Sequence, residues 1–119
     1  MNYDENNIFA RILRNEIPCD KVYEDEEILS FKDINPQAQI HVLVIPKKKY
    51  ISFDDFMNNA DPNFVVSFFK KIKIIVEKLG ISKSGYRIIS NHGIDANQEV
   101  PHFHFHILGG ENLGGIKIK

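Results

Sequence analysis

His102-Phe103-His104-Phe105-His106-Ile107-Leu108-Gly109-Gly110 sets three histidines at strict alternation and closes on a double glycine. In an extended chain successive side chains point to opposite faces. The three imidazoles therefore share one face, and Phe103, Phe105 and Ile107 take the other, where a core needs them. The spacing predicts a strand over His102 to Leu108. Imidazole can be nucleophile, proton donor or metal ligand near neutral pH without special tuning. A strand carrying a row of them reads as a working surface.

Outward from this strand, Asn91 to Pro101 is a polar loop that feeds into the histidine row, and Tyr86 to Ser90 is the strand before it. Asp61-Pro62 marks a helix start with proline at its first position. The helix that follows presents Phe64, Phe68, Ile72, Ile75 and Leu79 at spacings of three and four and stops at Gly80. Val65, Phe69 and Val76 make a second apolar stripe on it. One sheet covers one stripe, so the extra one predicts a subunit contact and a homodimer. Ile40 to Ile45 reads as a strand closed by Pro46 and carries His41. Asp33 to Gln39 is a loop built on Asp-x-Asn-Pro. Val22-Tyr23 and Ile28 to Phe31 form a hairpin around Glu24-Asp25-Glu26-Glu27. Asn6-Asn7 caps a short helix reaching about Asn15, with Ile8, Phe9, Ile12 and Leu13 on its buried stripe. The expected fold is α+β, with an antiparallel sheet of about five strands, one long helix and one short one.

The chain of 119 residues is expected to form one domain over 1–119. A formal charge of −1 excludes the basic footprint of a nucleic-acid binder. Lys47-Lys48-Lys49 and the lysines from Lys70 to Lys78 read as solvated surface. Cys19 is the single cysteine, so neither an intrachain disulfide nor a cysteine-built zinc site is available. The acidic start (Met1-Asn2-Tyr3-Asp4-Glu5) is unlike a secretion signal, and no apolar run is long enough to span a bilayer. These features predict a cytoplasmic protein with no membrane partner.

Three same-face imidazoles admit three chemistries. Alternate residues on a strand lie ~6.5–7 Å apart, so imidazoles reach one zinc ion only by tilting inward. A row of core-satisfied histidines is the second. Phosphoryl or nucleotidyl transfer is the third and suits the spacing best: a neutral imidazole attacks phosphorus while its neighbours hold the phosphate oxygens. The attacking ring must then be deprotonated on its outer nitrogen, with a backbone carbonyl accepting from its other N–H.

His102-x-His104-x-His106 followed by two apolar residues resembles the signature of the histidine triad (HIT) superfamily of nucleotide hydrolases and transferases. The likeness extends through Ile8-Phe9, Glu16-Ile17-Pro18, Phe31-x-Asp33-Ile34-x-Pro36-Gln37-Ala38, His41-x-Leu43-x-Ile45-Pro46-Lys47 and Gln98-Glu99-Val100. Together these are similar to the Hint branch, the purine nucleoside phosphoramidases, in its bacterial pattern.

The resemblance implies an enzyme without a cofactor or metal, acting on purine nucleotides such as AMP or GMP conjugates. It makes His104 the nucleophile and His106 the contact to the α-phosphate, with His102 and His41 behind them. Asp33 would bind the ribose hydroxyls. Ile8, Phe9, Ile12, Ile17, Ile34 and Leu43 would form the purine slot, and Asn91 with Asn97-Gln98-Glu99 would reach the phosphate and leaving group. His92 has no family role and is assigned to the surface. Glu99 stands where animal members carry serine, Asn97 replaces a glycine and Pro101 a tyrosine, which touches the leaving-group contacts and not the nucleophile. The rivals are a dinucleoside polyphosphate hydrolase or nucleotidyltransferase of the same superfamily, a nucleotide-binding regulatory protein, and a metal-binding module.

Overall fold

Strands β3 (Ile40–Pro46) and β5 (Phe105–Gly109) lie side by side in a five-stranded antiparallel sheet, completed by β1 (Lys21–Glu24), β2 (Ile28–Lys32) and β4 (Tyr86–Ile89) in the order β1-β2-β3-β5-β4. The structure, a computed structural model, describes residues 2–117. Alternation along β3 and β5 divides the core into two clusters. Val42, Val44, Phe105 and Ile107 face helix α3 (Pro62–Lys78) and the shorter α2 (Phe53–Asn59), meeting Phe56, Phe68, Ile72 and Ile75. Leu43 and Ile45, with Leu29 and Phe31 of β2, face Phe9 and Ile12 of α1 (Ile8–Leu13). The α+β architecture is the one expected.

Phe103 anchors the larger cluster, stacked on Phe56 at 4.4 Å between ring centroids. Truncating so buried a ring to alanine costs about 3–5 kcal/mol. α3 begins as read, with the Asp61 carboxylate accepting from Asn63 N–H at 2.8 Å and proline at the first position. Gly80, at φ +74°, turns the chain away just beyond it. Asn7 caps α1 by accepting from Ala10 N–H at 2.9 Å, and Asn15, at φ 63°, completes its exit.

Three expectations change. α2 adds a third helix that the pattern does not announce: it is seven residues long, and Phe56 is its one buried side chain. The last strand is shorter than read. His102 to His104 lie outside the ladder, with Phe103 N–H donating to Tyr50 O at 2.7 Å instead. The second stripe of α3 is largely internal: Val76 is fully buried and Val65 packs on the same cluster, which Ile81 helps to close, leaving Phe69 exposed at 37%. Among the described residues no helix is long and apolar enough to cross a membrane.

Candidate active site

Opposite the long helix, the sheet and α1 enclose an open cleft of about 1410 Å³. Ile8, Phe9, Ile12, Ile17, Phe31 and Leu43 form its apolar part; Asp33, His41, Asn91, His104 and His106 line the polar part. The register explains the convergence. β3 and β5 pair Leu43 with His106 and His41 with Leu108, so the two histidines sit diagonally on one face, with ring centroids 5.1 Å apart.

A neutral imidazole has one N–H, and carbonyls only accept, so the hydrogen bonds assign the tautomers. His104 Nδ1–H donates to the carbonyl of His102 at 2.6 Å. That leaves the Nε2 lone pair of His104 unprotonated. His102 Nε2–H donates to Pro46 O at 2.8 Å. His41 Nδ1 accepts from Gln37 N–H at 2.9 Å. His41 must therefore carry its proton on Nε2, which donates to His106 Nδ1 at 2.9 Å and also lies 3.3 Å from the Asp33 carboxylate. His106 Nδ1 is thus an acceptor, and its own proton sits on Nε2. The row presents a nucleophilic nitrogen on His104 beside a donor N–H on His106, with ring centroids 5.0 Å apart.

Burial keeps all four rings neutral, because an imidazolium loses hydration there. It lowers the pKa of His104, against the opposing pull of the His102 carbonyl. It brings His102 to about 4, overcoming the Pro46 carbonyl. His106 also falls to about 4, from burial first and then from its neighbours His104 and His41. His41 is lowered by burial against the attraction of Asp33. Phe9 meets the His104 ring edge-on at 5.0 Å and shields it from water.

The apolar residues expected to form a slot lie together, although Ile34 is 91% exposed at the rim. Asn91, Asn97 and Glu99 also line the cleft. Gln98 does not. Its amide donates to Ile51 O at 2.8 Å and Val100 O at 3.1 Å and accepts from Gly93 N–H at 3.1 Å, so the side chain is spent on holding the 91–101 loop. His102 is likewise behind the cleft, not on it. His92 is on the surface, 3.4 Å from Asp54. Phe31 and Gln37 were missed by sequence reasoning. Phe31 was findable, since alternation puts it beside Leu43 on the same face; the Gln37 contribution is a backbone N–H that no pattern reveals.

Asp33, His41 and His106 each offer one atom within 4.8 Å of the others, the geometry of a three-ligand metal set among the described residues. An ion there would have to displace the His41–His106 hydrogen bond and so undo the tautomer it fixes.

The HIT domain family model matches residues 14–113. The chain is 53% identical over 117 residues to an uncharacterised 13.2 kDa HIT-like protein of Azospirillum brasilense, covering 98% of this chain and 96% of the relative. Among solved structures, a HIT family hydrolase from Legionella pneumophila is 38% identical with a TM-score of 0.87, covering 93% of this chain and 98% of that one. A histidine triad nucleotide-binding protein from Candida albicans is 31% identical with a TM-score of 0.76, covering 86% and 73%.

Proposed function

The chain belongs to the HIT domain family, and on that premise we propose that it hydrolyses the P–N bond of purine nucleoside 5′-phosphoramidates through a nucleotidyl-histidine intermediate. The observation that carries the reading is the tautomer of His104, whose Nδ1–H is held by the His102 carbonyl at 2.6 Å. That bond leaves Nε2 as a lone pair, and it strengthens as the ring becomes cationic during attack.

In the proposed reaction His104 Nε2 bonds to the α-phosphorus as the P–N bond breaks. The amine departs after taking one proton from the solvent of the open cleft. Water then attacks the phosphorus and returns one proton to the solvent, the P–N bond to His104 breaks, and the nucleoside monophosphate leaves. Net, one water is consumed and one amine and one monophosphate are formed. His106 Nε2–H donates to a phosphate oxygen whose charge grows in the transition state. His41 keeps that donor on the correct nitrogen, and His102 holds the carbonyl behind His104. No metal is assigned a role, because a fixed N–H donor answers the developing charge.

Asp33 accepts from the ribose hydroxyls, an arrangement suited to a carboxylate. Ile8, Phe9, Ile12, Ile17, Ile34 and Leu43, with Phe31, hold the base by apolar contact, which suits any purine. Asn91, Asn97 and Glu99 meet the leaving group, with Gln98 buttressing their loop. A homodimer belongs to the same proposal. Exposed Phe69 and Val66 on α3 share the helix-bearing face with Tyr86 and Ile88, exposed on the edge strand β4. Ile88 pairs with inward-facing Ile107, which fixes that face. A chain that carries a single cysteine and acts on free nucleotides is proposed to work in the reducing cytoplasm.

Turnover on adenosine 5′-phosphoramidate, a lysyl-AMP conjugate and a diadenosine polyphosphate, measured side by side, tests the reaction class. The phosphoramidates are expected to be faster. A faster P–O cleavage would replace this reading with that of a polyphosphate hydrolase.

A further inference from the structure

His104 is oriented by a carbonyl that the sheet does not hold. β5 begins at Phe105, so residues 102–104 make no ladder contact that fixes the carbonyl of His102. What holds this stretch is a set of bonds from elsewhere: Phe103 N–H to Tyr50 O at 2.7 Å, Ser90 Oγ–H to His104 O at 2.9 Å, and the two bonds of the His102 ring. The ring is fully buried, with Nε2–H on Pro46 O at 2.8 Å and Nδ1 2.6 Å from the hydroxyl of Tyr3, ninety-nine positions away in sequence.

The direction of the Tyr3 bond follows from the other one. Nε2 carries the proton of a neutral ring because Pro46 O can only accept. Nδ1 is then a lone pair, and the phenol is the donor. The opposite tautomer would aim an N–H at Tyr3 and leave Pro46 O facing a bare nitrogen. Tyr3 is itself placed by its surroundings. Asn7 Nδ2 donates to Asp4 O at 2.7 Å, Lys49 pairs with Glu5 at 2.7 Å, and the Lys49 ammonium sits 5.9 Å from the centre of the Tyr3 ring. The Tyr3 and His102 rings meet edge-on at 5.6 Å.

We infer that Tyr3 is a positioning residue for the nucleophile: the Pro46 carbonyl sets the His102 tautomer, and the Tyr3 hydroxyl, by donating to Nδ1, pins the other side of the ring and so holds the residue whose carbonyl orients His104. The chain of bonds runs from the Tyr3 hydroxyl through the His102 ring and its carbonyl to His104 Nδ1–H, leaving Nε2 aimed into the cleft. Tyr3 does not line the cleft, so its effect falls on turnover and not on nucleotide affinity. The consequence for catalysis rests on the nucleophilic role of His104 proposed above; the hold of Tyr3 on the His102 ring does not.

Tyr3→Phe removes the donor and keeps the ring, and 3,5-difluorotyrosine placed site-specifically at position 3 keeps the ring and makes the hydroxyl a stronger donor. Two readouts are taken on each protein: kcat and KM for adenosine 5′-phosphoramidate, and histidine ring-nitrogen chemical shifts by long-range ¹⁵N NMR without substrate. The expected result for Tyr3→Phe is a loss of about tenfold in kcat, the effect of one misaligned hydrogen bond, with KM within about twofold. His102 should keep its Nε2–H form while its Nδ1 moves to the shift of a lone pair without a donor, and the His104 shifts should broaden or move with it, whereas the difluorotyrosine protein should show Nδ1 moved further in the hydrogen-bonded direction. Unchanged His102 and His104 nitrogens in Tyr3→Phe would overturn the inference, as would a kcat within twofold of wild type in a protein that turns over. A rise in KM matching the loss of kcat/KM would overturn it too, showing that the N-terminal segment only shapes the cleft. If the wild-type protein turns over none of these substrates, the reaction assigned to His104 falls, and the nitrogen spectra alone decide whether Tyr3 holds the His102 ring and, through it, His104.

Discussion

Lowering the pH from 6.5 to 5 should destabilise this protein much more than a fold of its size without buried histidines. His102 and His106 are held at about 4 in the folded chain, while an unfolded histidine titrates near ~6.5. As pH falls, the unfolded chain takes up these protons first. The sign is therefore that stability is complete above about 6.5 and is lost as pH falls toward about 4. Between pH 6.5 and 5 the linkage gives roughly 1–2 kcal/mol for each ring, or about 3 kcal/mol for the pair. For a chain of 119 residues that is a fall in Tm on the order of 10 °C. Urea unfolding at half-unit pH steps reads the quantity directly, because the slope of stability against pH counts protons. His102→Gln should reduce that slope by about one proton whatever it does to stability at pH 7. A slope near zero over this window, or one unaffected by His102→Gln, would refute the claim that burial holds these rings neutral.

Asp33→Ala should weaken AMP binding about ten- to a hundredfold by calorimetry, the value of about 1.5–3 kcal/mol for hydrogen bonds to a charged acceptor, and should matter much less for a 2′,3′-dideoxy analogue. Because burial lowers the pKa of His104, the acid limb of kcat/KM should lie below the ordinary histidine value of about 6.5; a limb at or above it would contradict a nucleophile kept neutral by burial. Sedimentation should give twice the 13.7 kDa of one chain, and Phe69→Asp should shift it to the monomer. A monomeric wild type would leave Val66, Phe69, Tyr86 and Ile88 as ordinary exposed side chains.

The period-two pattern of residues 102–108 was enough to separate the two faces of the sheet, because aromatic and imidazole side chains alternate without a break. It overstated the strand, since side-chain alternation persists through His102 to His104 although Tyr50, Ser90 and Pro46 satisfy that segment in place of a ladder. α2 was illegible for a related reason: one buried phenylalanine in seven residues carries no period. Periodicity places Val76 on an outer stripe because it counts one partner surface, whereas Ile81, arriving after the helix, joins Val76 in the same buried cluster and donates its N–H to the Val76 carbonyl at 3.4 Å. Residues that line the cleft were mostly readable. The groups that hold them in place were not. Gln37 acts through its backbone, Tyr3 acts from the far end of the chain, and Gln98 turned out to be committed to its own loop.

The account stands most directly on the nucleophile. Acid-quenched mass spectrometry during turnover of adenosine 5′-phosphoramidate should find one nucleotidyl group on the peptide holding His104. His104→Ala should lose at least ~10³-fold in turnover while still binding AMP, since the base and ribose contacts proposed above are made by other residues of the cleft, and wild-type turnover should persist in EDTA. An absence of modified peptide at every quench time, with His104→Ala still active and EDTA abolishing the rate, would contradict the account and move the chemistry to a metal held by Asp33, His41 and His106.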